Sequence, residues 1–359
     1  VHEPEPSLTA DEIARRLTAQ RVAPACAAAC AIEQGEARQW QCDSGGDTDL
    51  FFDLASVTKP FTAVAFARTG IDRRTPLAEL LPEVRGTQSE RTPIELLLAH
   101  RAGLEGHVAL YAPLLRGDPL SLTTALCQAA DSRRPAATGD PPVEGFDPQY
   151  SDLGYILAGA ALARAIGECD AGAAIERLVL EPLGIERFVG TIRDLRSRGI
   201  NGAFASTEEV DWRGGRVTGA VHDENAWAMT ALGGSGHAGL FGRVAGVVSF
   251  ACTVLEALNG HGPFGSTDLE WLARRRPGGS LRAGFDGKSV EGSSAGSRLG
   301  PESFGHLGFT GTSLWIDPQA RIVVSLLTNR IFMSRDNEAI RSARPWTHDA
   351  LWQRARNMR

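Results

Sequence analysis

Phe51-Phe52-Asp53-Leu54-Ala55-Ser56-Val57-Thr58-Lys59-Pro60-Phe61-Thr62-Ala63-Val64-Ala65-Phe66-Ala67 is the stretch on which the reading of this chain turns. At its centre lies Ser56-x-x-Lys59, set between an apolar run and a helix-like one. Serine alone is a poor nucleophile near neutral pH and needs a neighbour to take its proton as it attacks. On a helix, residues i and i+3 share a face, so this spacing sets an amine beside a hydroxyl within the first turn. The helix N-terminus adds partial positive charge and free N–H groups where an oxyanion would form. Taken alone, Ser-x-x-Lys also describes a surface helix start with serine as its cap. The apolar flanks favour burial, which lowers a lysine pKa and makes the amine a usable base.

The chain has 359 residues, 43% of them hydrophobic and 22% charged, with a net charge of −6. That length allows more than one compact unit. No basic tract is present, which excludes nucleic acid as an expected partner. Apolar stretches are interrupted well before membrane-spanning length. Residues 1–8 show no signal-peptide pattern, although a start at Val1 is compatible with a trimmed export signal. Cys26, Cys30, Cys42, Cys127, Cys169 and Cys252 are scattered. Thiols at this density point away from a disulfide framework and towards a reducing cytoplasm over a periplasmic or secreted setting. Cys26-x-x-x-Cys30 resembles half a metal site, but no second Cys/His pair follows, and on a strand both thiols simply face one way. Neither a metal nor a cofactor is expected, and no pattern fixes an oligomeric state.

Around the central stretch, Thr9-Ala10-Asp11-Glu12 is a capping box that predicts a helix over 10–20. Residues 24–32 and 37–42, separated by Gln34-Gly35-Glu36, predict a hairpin. The Ser56 helix should end at Gly70. From 73 to 170 the pattern turns helical, with helices expected over 76–81, 93–100, 120–130 and 153–166. Strands return at 216–221, 312–316 and 322–327, followed by a helix near 337–356; 242–258 is an apolar helix, and 278–300 a Gly/Ser-rich loop. The layout is an α/β unit with a central antiparallel sheet flanked by helices, 1–70 and 180–359, split by an all-helical unit, 71–179. A catalytic site is expected in the cleft between them.

Two further segments bear on that site. Phe146-Asp147-Pro148-Gln149-Tyr150-Ser151-Asp152 precedes a helix; Ser151 or Asp152 could cap it while Tyr150 packs. A functional role needs the phenol near Lys59, where a cation favours phenolate and makes Tyr150 a base or proton relay. Gly305-His306-Leu307-Gly308-Phe309-Thr310-Gly311-Thr312 reads as the opening of a strand ending near Asp317. Its glycines suit a place where another group approaches the backbone closely, or an edge strand with a surface histidine.

Ser-x-x-Lys, then Tyr-x-Asp, then His-x-Gly, in that order and spacing, resembles the serine β-lactamase and penicillin-binding-protein superfamily. It is most similar to the class C-like branch that includes family VIII carboxylesterases. Leu96 to Leu104, Gly236-His237-Ala238-Gly239-Leu240 and Thr328-Asn329-Arg330 support the resemblance, which covers nearly the whole chain. It implies a β-lactamase/transpeptidase-like fold and an acyl-enzyme mechanism. Ser56 would be the nucleophile, Lys59 its proton acceptor, Tyr150 a second base or shuttle, and His306 the residue standing where penicillin-active members have lysine. The backbone N–H groups of Ser56 and Phe309 would form the oxyanion hole. Gly308 and Asp152 would support the site, and His237 would line its wall.

Asp152 departs from the usual asparagine; beside Lys59 it would raise the lysine pKa and shift the base role towards Tyr150, while burial pulls the other way. His306-Leu307-Gly308 replaces Lys-Thr-Gly, which weakens recognition of a substrate carboxylate. These differences favour a serine hydrolase acting on short-chain carboxylic esters, a small-molecule ester or amide being the expected partner. The rivals are a class C-type β-lactamase, a D-amino-acid or DD-peptidase, an acyltransferase, and an acylatable sensor that has lost turnover. Gly292-Ser293-Ser294-Ala295-Gly296 matches the G-x-S-x-G elbow but lacks its flanking strand and helix. His222-Asp223-Glu224-Asn225 reads as a turn rather than a metal cluster.

Overall fold

The computed structural model describes residues 7–35, 38–264 and 269–358. Eleven strands occur among them: β1 (Cys26–Gln34), β2 (Gln39–Gly46), β3 (Phe52–Asp53), β4 (Val189–Gly190), β5 (Glu209–Val210), β6 (Gly215–Arg216), β7 (Phe241–Gly242), β8 (Asp286–Gly287), β9 (Phe304–Leu307), β10 (Ser313–Asp317) and β11 (Ile322–Thr328). Six form an antiparallel sheet in the order β2-β1-β11-β10-β9-β8. One face, with Cys26, Ala28, Cys30, Ile322, Val324 and Trp315, packs in a core with the helices Ala10–Ala19 and Ile340–Asn357. The other, with Ala27, Ala29, Val323, Leu314 and Ile316, joins the core of the helices Val244–Leu258 and Thr58–Ala67. Cover on both faces explains why β11 is buried at every position and reads as an aliphatic run broken only by Ser325 before Thr328 ends it. Cys26 and Cys30 share one face and are free, buried thiols. The arrangement is the expected mixed α/β fold with an antiparallel sheet flanked by helices.

The capping box is present, Thr9 and Glu12 each holding the other's backbone N–H. The 24–42 hairpin forms as β1–β2; Glu36 and Ala37, at its tip, lie outside the described residues. Helices occupy Leu77–Leu80, Ile94–Leu98, Leu122–Asp131 and Asp152–Ile166. Loop structure dominates 278–300, interrupted by β8.

Three expectations need correction. The strand over 216–221 does not form: only Gly215–Arg216 pairs, and Gly219 at φ +58° turns the chain away. The run from Gly305 to Asp317 is two strands, β9 and β10, joined by a tight turn rather than one strand. Gly308 and Gly311 belong to that turn. A Cβ on Gly308 would meet the Leu54 carbonyl at 2.6 Å, and Gly311 sits at φ +103°. Ser56 lies not in the α-helix but in a 3-10 turn, Ala55–Val57, feeding the helix Thr58–Ala67, whose C-cap is Arg68 rather than Gly70. The small sheet β3-β7-β4 has no clear sequence signature, because its strands are two residues long.

Candidate active site

Ser56 is placed by what precedes it. Asp53, buried in β3, accepts the Ala55 N–H at 2.8 Å and the His222 N–H at 2.7 Å, bracing a backbone in which Ala55 takes φ +47°. The turn between β9 and β10 is tied to the same segment. Thr310 Oγ1 donates to the Asp53 carbonyl at 2.7 Å, and Thr312 Oγ1 to the Leu54 carbonyl at 2.9 Å. From the C-terminal helix, Arg344 donates to the Gly308 and Thr312 carbonyls at 2.6 and 2.9 Å. Phe309, at the tip of this turn, has no acceptor for its N–H among the described residues. The 3-10 turn uses the N–H groups of Val57 and Thr58, not that of Ser56.

Lys59 stands one turn along, completely buried. Its Nζ lies 2.8 Å from Ser56 Oγ, 2.7 Å from Asp152 Oδ1 and 3.4 Å from the His237 carbonyl oxygen. An ammonium has three donors, and here each has an acceptor. Burial pulls the lysine pKa down, but Asp152 and Tyr150 together outweigh it and the net displacement is upward. Burial likewise works to raise the Asp152 pKa, but Lys59 and then His237 hold its carboxyl below the usual range.

Asp152 opens the helix Asp152–Ile166, capped by Ser151, whose Oγ accepts the Gly154 N–H. Tyr150 precedes the cap. It is 38% exposed, and its ring centroid lies 4.9 Å from Lys59 Nζ. Burial raises the phenol pKa, and the nearby ammonium offsets only part of that. His100 stacks on the Tyr150 ring at 4.6 Å and accepts the Ser151 N–H through Nδ1 at 3.0 Å. His306 flanks Tyr150 at 6.0 Å between ring centroids. It sits in β9, is 4% exposed, and is no surface edge residue. Burial and then Lys59 push the His100 and His306 pKa values down to about 3, so both imidazoles are neutral.

Ser56, Lys59, Tyr150, Asp152, His237 and His306 therefore converge, with Gly308 and Phe309 on the turn clamped to the Ser56 segment. Sequence reasoning missed His100, quoted only within a supporting stretch, and Asp223, taken for a turn residue. Asp223 does cap a helix, Glu224–Thr230, but also hydrogen-bonds His237; no local spacing announces that contact. The G-x-S-x-G match lies in irregular chain, with the Ser294 carbonyl engaged by His348. No group of three or more metal-ligating side chains occurs among the described residues. Among them no helix is long and apolar enough to cross a membrane.

Comparison with known proteins agrees with this architecture. A Salmonella gallinarum protein named "Putative D-alanyl-D-alanine carboxypeptidase" is 28% identical over 202 residues, which make up 50% of this chain and 45% of that protein. An Escherichia coli protein of the same name is 27% identical over 197 residues, 50% of this chain and 44% of that one. The chain thus spans about half the length of these curated relatives. Among solved structures, EstCE1, a hydrolase with promiscuous acyltransferase activity, superimposes with a TM-score of 0.66 at 19% identity, covering 95% of this chain and 96% of that one. A penicillin-binding-protein homologue from Caulobacter crescentus gives 0.65 at 17%, with 95% and 96% covered. At such identities the likeness shows the fold alone. The Beta-lactamase family model matches residues 11–344, and the chain accordingly belongs to the Beta-lactamase family of serine hydrolases.

Proposed function

We propose that this protein hydrolyses short-chain carboxylic esters through an acyl-enzyme on Ser56. The observation that carries the proposal is the contact of Ser56 Oγ with Lys59 Nζ at 2.8 Å, with the Tyr150 ring centroid 4.9 Å from the same nitrogen. Ser56 Oγ attacks the ester carbonyl carbon, and its proton passes into the Tyr150–Lys59 pair. The Ser56 and Phe309 N–H groups receive the oxyanion, usually a large share of the barrier in acyl transfer. Collapse breaks the bond to the alkoxy oxygen, which leaves as alcohol with the proton returned through Tyr150. Water then attacks the acyl-serine by the same route and releases the acid. The proposal includes the division into an α/β unit, 1–70 with 180–359, which supplies Ser56 and Lys59, and a helical unit, 71–179, which supplies Tyr150 and Asp152.

Preference for a neutral acyl substrate rests on His306. Its buried, neutral imidazole offers a substrate carboxylate no charge, whereas Leu307 lies on the opposite face of β9 and packs against the core of the helix Ile340–Asn357, away from the site. The names of the curated relatives favour a second reading, hydrolysis of D-alanyl peptides or the related β-lactams. Assays of p-nitrophenyl butyrate, nitrocefin and a D-alanyl-D-alanine peptide side by side separate these readings. Intact-mass spectrometry with a fluorophosphonate on wild type, Ser56→Ala and Ser294→Ala locates the acylated residue. The expected result is ester turnover and one adduct, lost only in Ser56→Ala. Nitrocefin turnover without ester cleavage would reverse the substrate order, and an adduct without turnover would leave an acylatable sensor.

A further inference from the structure

Behind Lys59 sits a histidine in a setting that a mere cleft wall does not require. His237 is 1% exposed. Its Nε2 lies 2.8 Å from Asp223 Oδ1, and its Nδ1 lies 2.9 Å from the Ser235 carbonyl oxygen. Both partners can only accept, a carbonyl always and a carboxylate when ionised. A neutral imidazole has one N–H and would leave one of these contacts without a proton. Both contacts are satisfied only by imidazolium.

The loop that carries it is wedged in place. Gly236, at φ +67°, lies so close to the helix Asp152–Ile166 that a Cβ there would strike the Tyr155 carbonyl. The Gly236 carbonyl accepts from Thr62 Oγ1 at 2.6 Å. The next carbonyl, that of His237, accepts from Lys59 Nζ.

We infer that His237 is a positioning residue for Lys59: a buried imidazolium, fixed by Asp223 and the Ser235 carbonyl, whose backbone carbonyl orients the amine and whose charge opposes the lysine's. Three charged groups act on it: Asp223 from the cap of the helix Glu224–Thr230, Asp152 from the start of the helix Asp152–Ile166, and Lys59 from the helix Thr58–Ala67. Lys59 and His237 balance Asp152 and Asp223, so this buried set is neutral overall. Removing the imidazolium charge leaves a net negative set around Lys59 and makes the ammonium harder to deprotonate. The charge state of His237 stands apart from the proposed role of Ser56; only the kinetic consequence rests on it.

The test has two arms. Nuclear magnetic resonance of the full chain labelled with ¹⁵N-histidine reads the ring directly. Both His237 nitrogens should carry protons, unchanged between pH 5 and pH 8; a neutral tautomer at pH 7 would overturn the inference even if the enzyme is active. In Asp223→Asn the second proton should be lost within that range. The second arm is His237→Gln, which keeps an N–H donor for Asp223 without the charge. Its ascending limb of kcat/KM for p-nitrophenyl butyrate should be displaced by about one unit towards higher pH, about tenfold below wild type along the limb and level with it once both profiles flatten. A loss that persists undiminished where the profiles flatten would reduce His237 to a packing role and overturn the electrostatic claim. If fluorophosphonate labels a residue other than Ser56, the proposed function fails while the resonance arm still decides the charge state.

Discussion

Lys59 Nζ and Asp152 Oδ1 meet at 2.7 Å with the lysine fully enclosed, so the amine that Ser-x-x-Lys offers as a base is held as an ammonium. The pKa values of Lys59 and Tyr150 both lie above their ordinary 10.5 and 10.0. Whichever group takes the Ser56 proton must first lose its own. The reactive form is therefore scarce at neutral pH and grows tenfold with each pH unit. For p-nitrophenyl butyrate, corrected with a Ser56→Ala blank, log kcat/KM should climb with a slope near one from pH 7 to beyond pH 9. A plateau below pH 8 would show that the base is already free there.

Asp152→Asn removes that countercharge while keeping an oxygen that can accept from Lys59. Burial then dominates the lysine, and its pKa falls. The ascending limb should move towards acid by about a unit, and kcat/KM at pH 7 should rise about tenfold. The same pH series on the variant checks it; a limb left in place would mean that Lys59 does not set it and that Tyr150 titrates independently.

Thr312 holds the Phe309 turn against the Ser56 segment by donating to the Leu54 carbonyl. Thr312→Val preserves shape and leaves that buried carbonyl without this donor, a loss of about 1–3 kcal/mol. If Phe309 supplies an oxyanion donor, the damage should fall on kcat, by about tenfold, with KM nearly unchanged. Thermal unfolding measured alongside separates loosened geometry from lost fold. A rise in KM alone would place the turn in substrate binding instead.

The parts legible in sequence were those carried by local pattern. The Thr9–Glu12 capping box, the short apolar side chains of β1 and the aliphatic run of β11 each declare an element within a few residues. Ser56 and Lys59 declare each other by helical spacing. Tyr150, Asp152 and His306 come from distant segments, so their approach to Lys59 was read from family order rather than from any local rule. His100 and Asp223 carry no such marker: one acts by stacking on Tyr150, the other across 14 residues on His237. The 3-10 turn at Ser56 escaped for a related reason. It depends on Asp53 accepting from Ala55 and from His222, and His222 lies 169 positions away.

His306 offers a direct test of substrate choice. Its imidazole is neutral, buried and 6.0 Å from the Tyr150 ring centroid. His306→Lys would set a second cation against Tyr150, favouring phenolate, and would give a substrate carboxylate a partner. It would also repel Lys59, which the wild-type imidazole does not. Two shifts should follow together: an ascending limb displaced towards acid, and a nitrocefin-to-p-nitrophenyl butyrate ratio of kcat/KM raised about tenfold, the scale of about 1.4 kcal/mol for one new ionic contact. A displaced limb with an unchanged ratio would mean that His306 faces the proton pathway but not the acyl substrate, moving the determinant of ester preference elsewhere in the site.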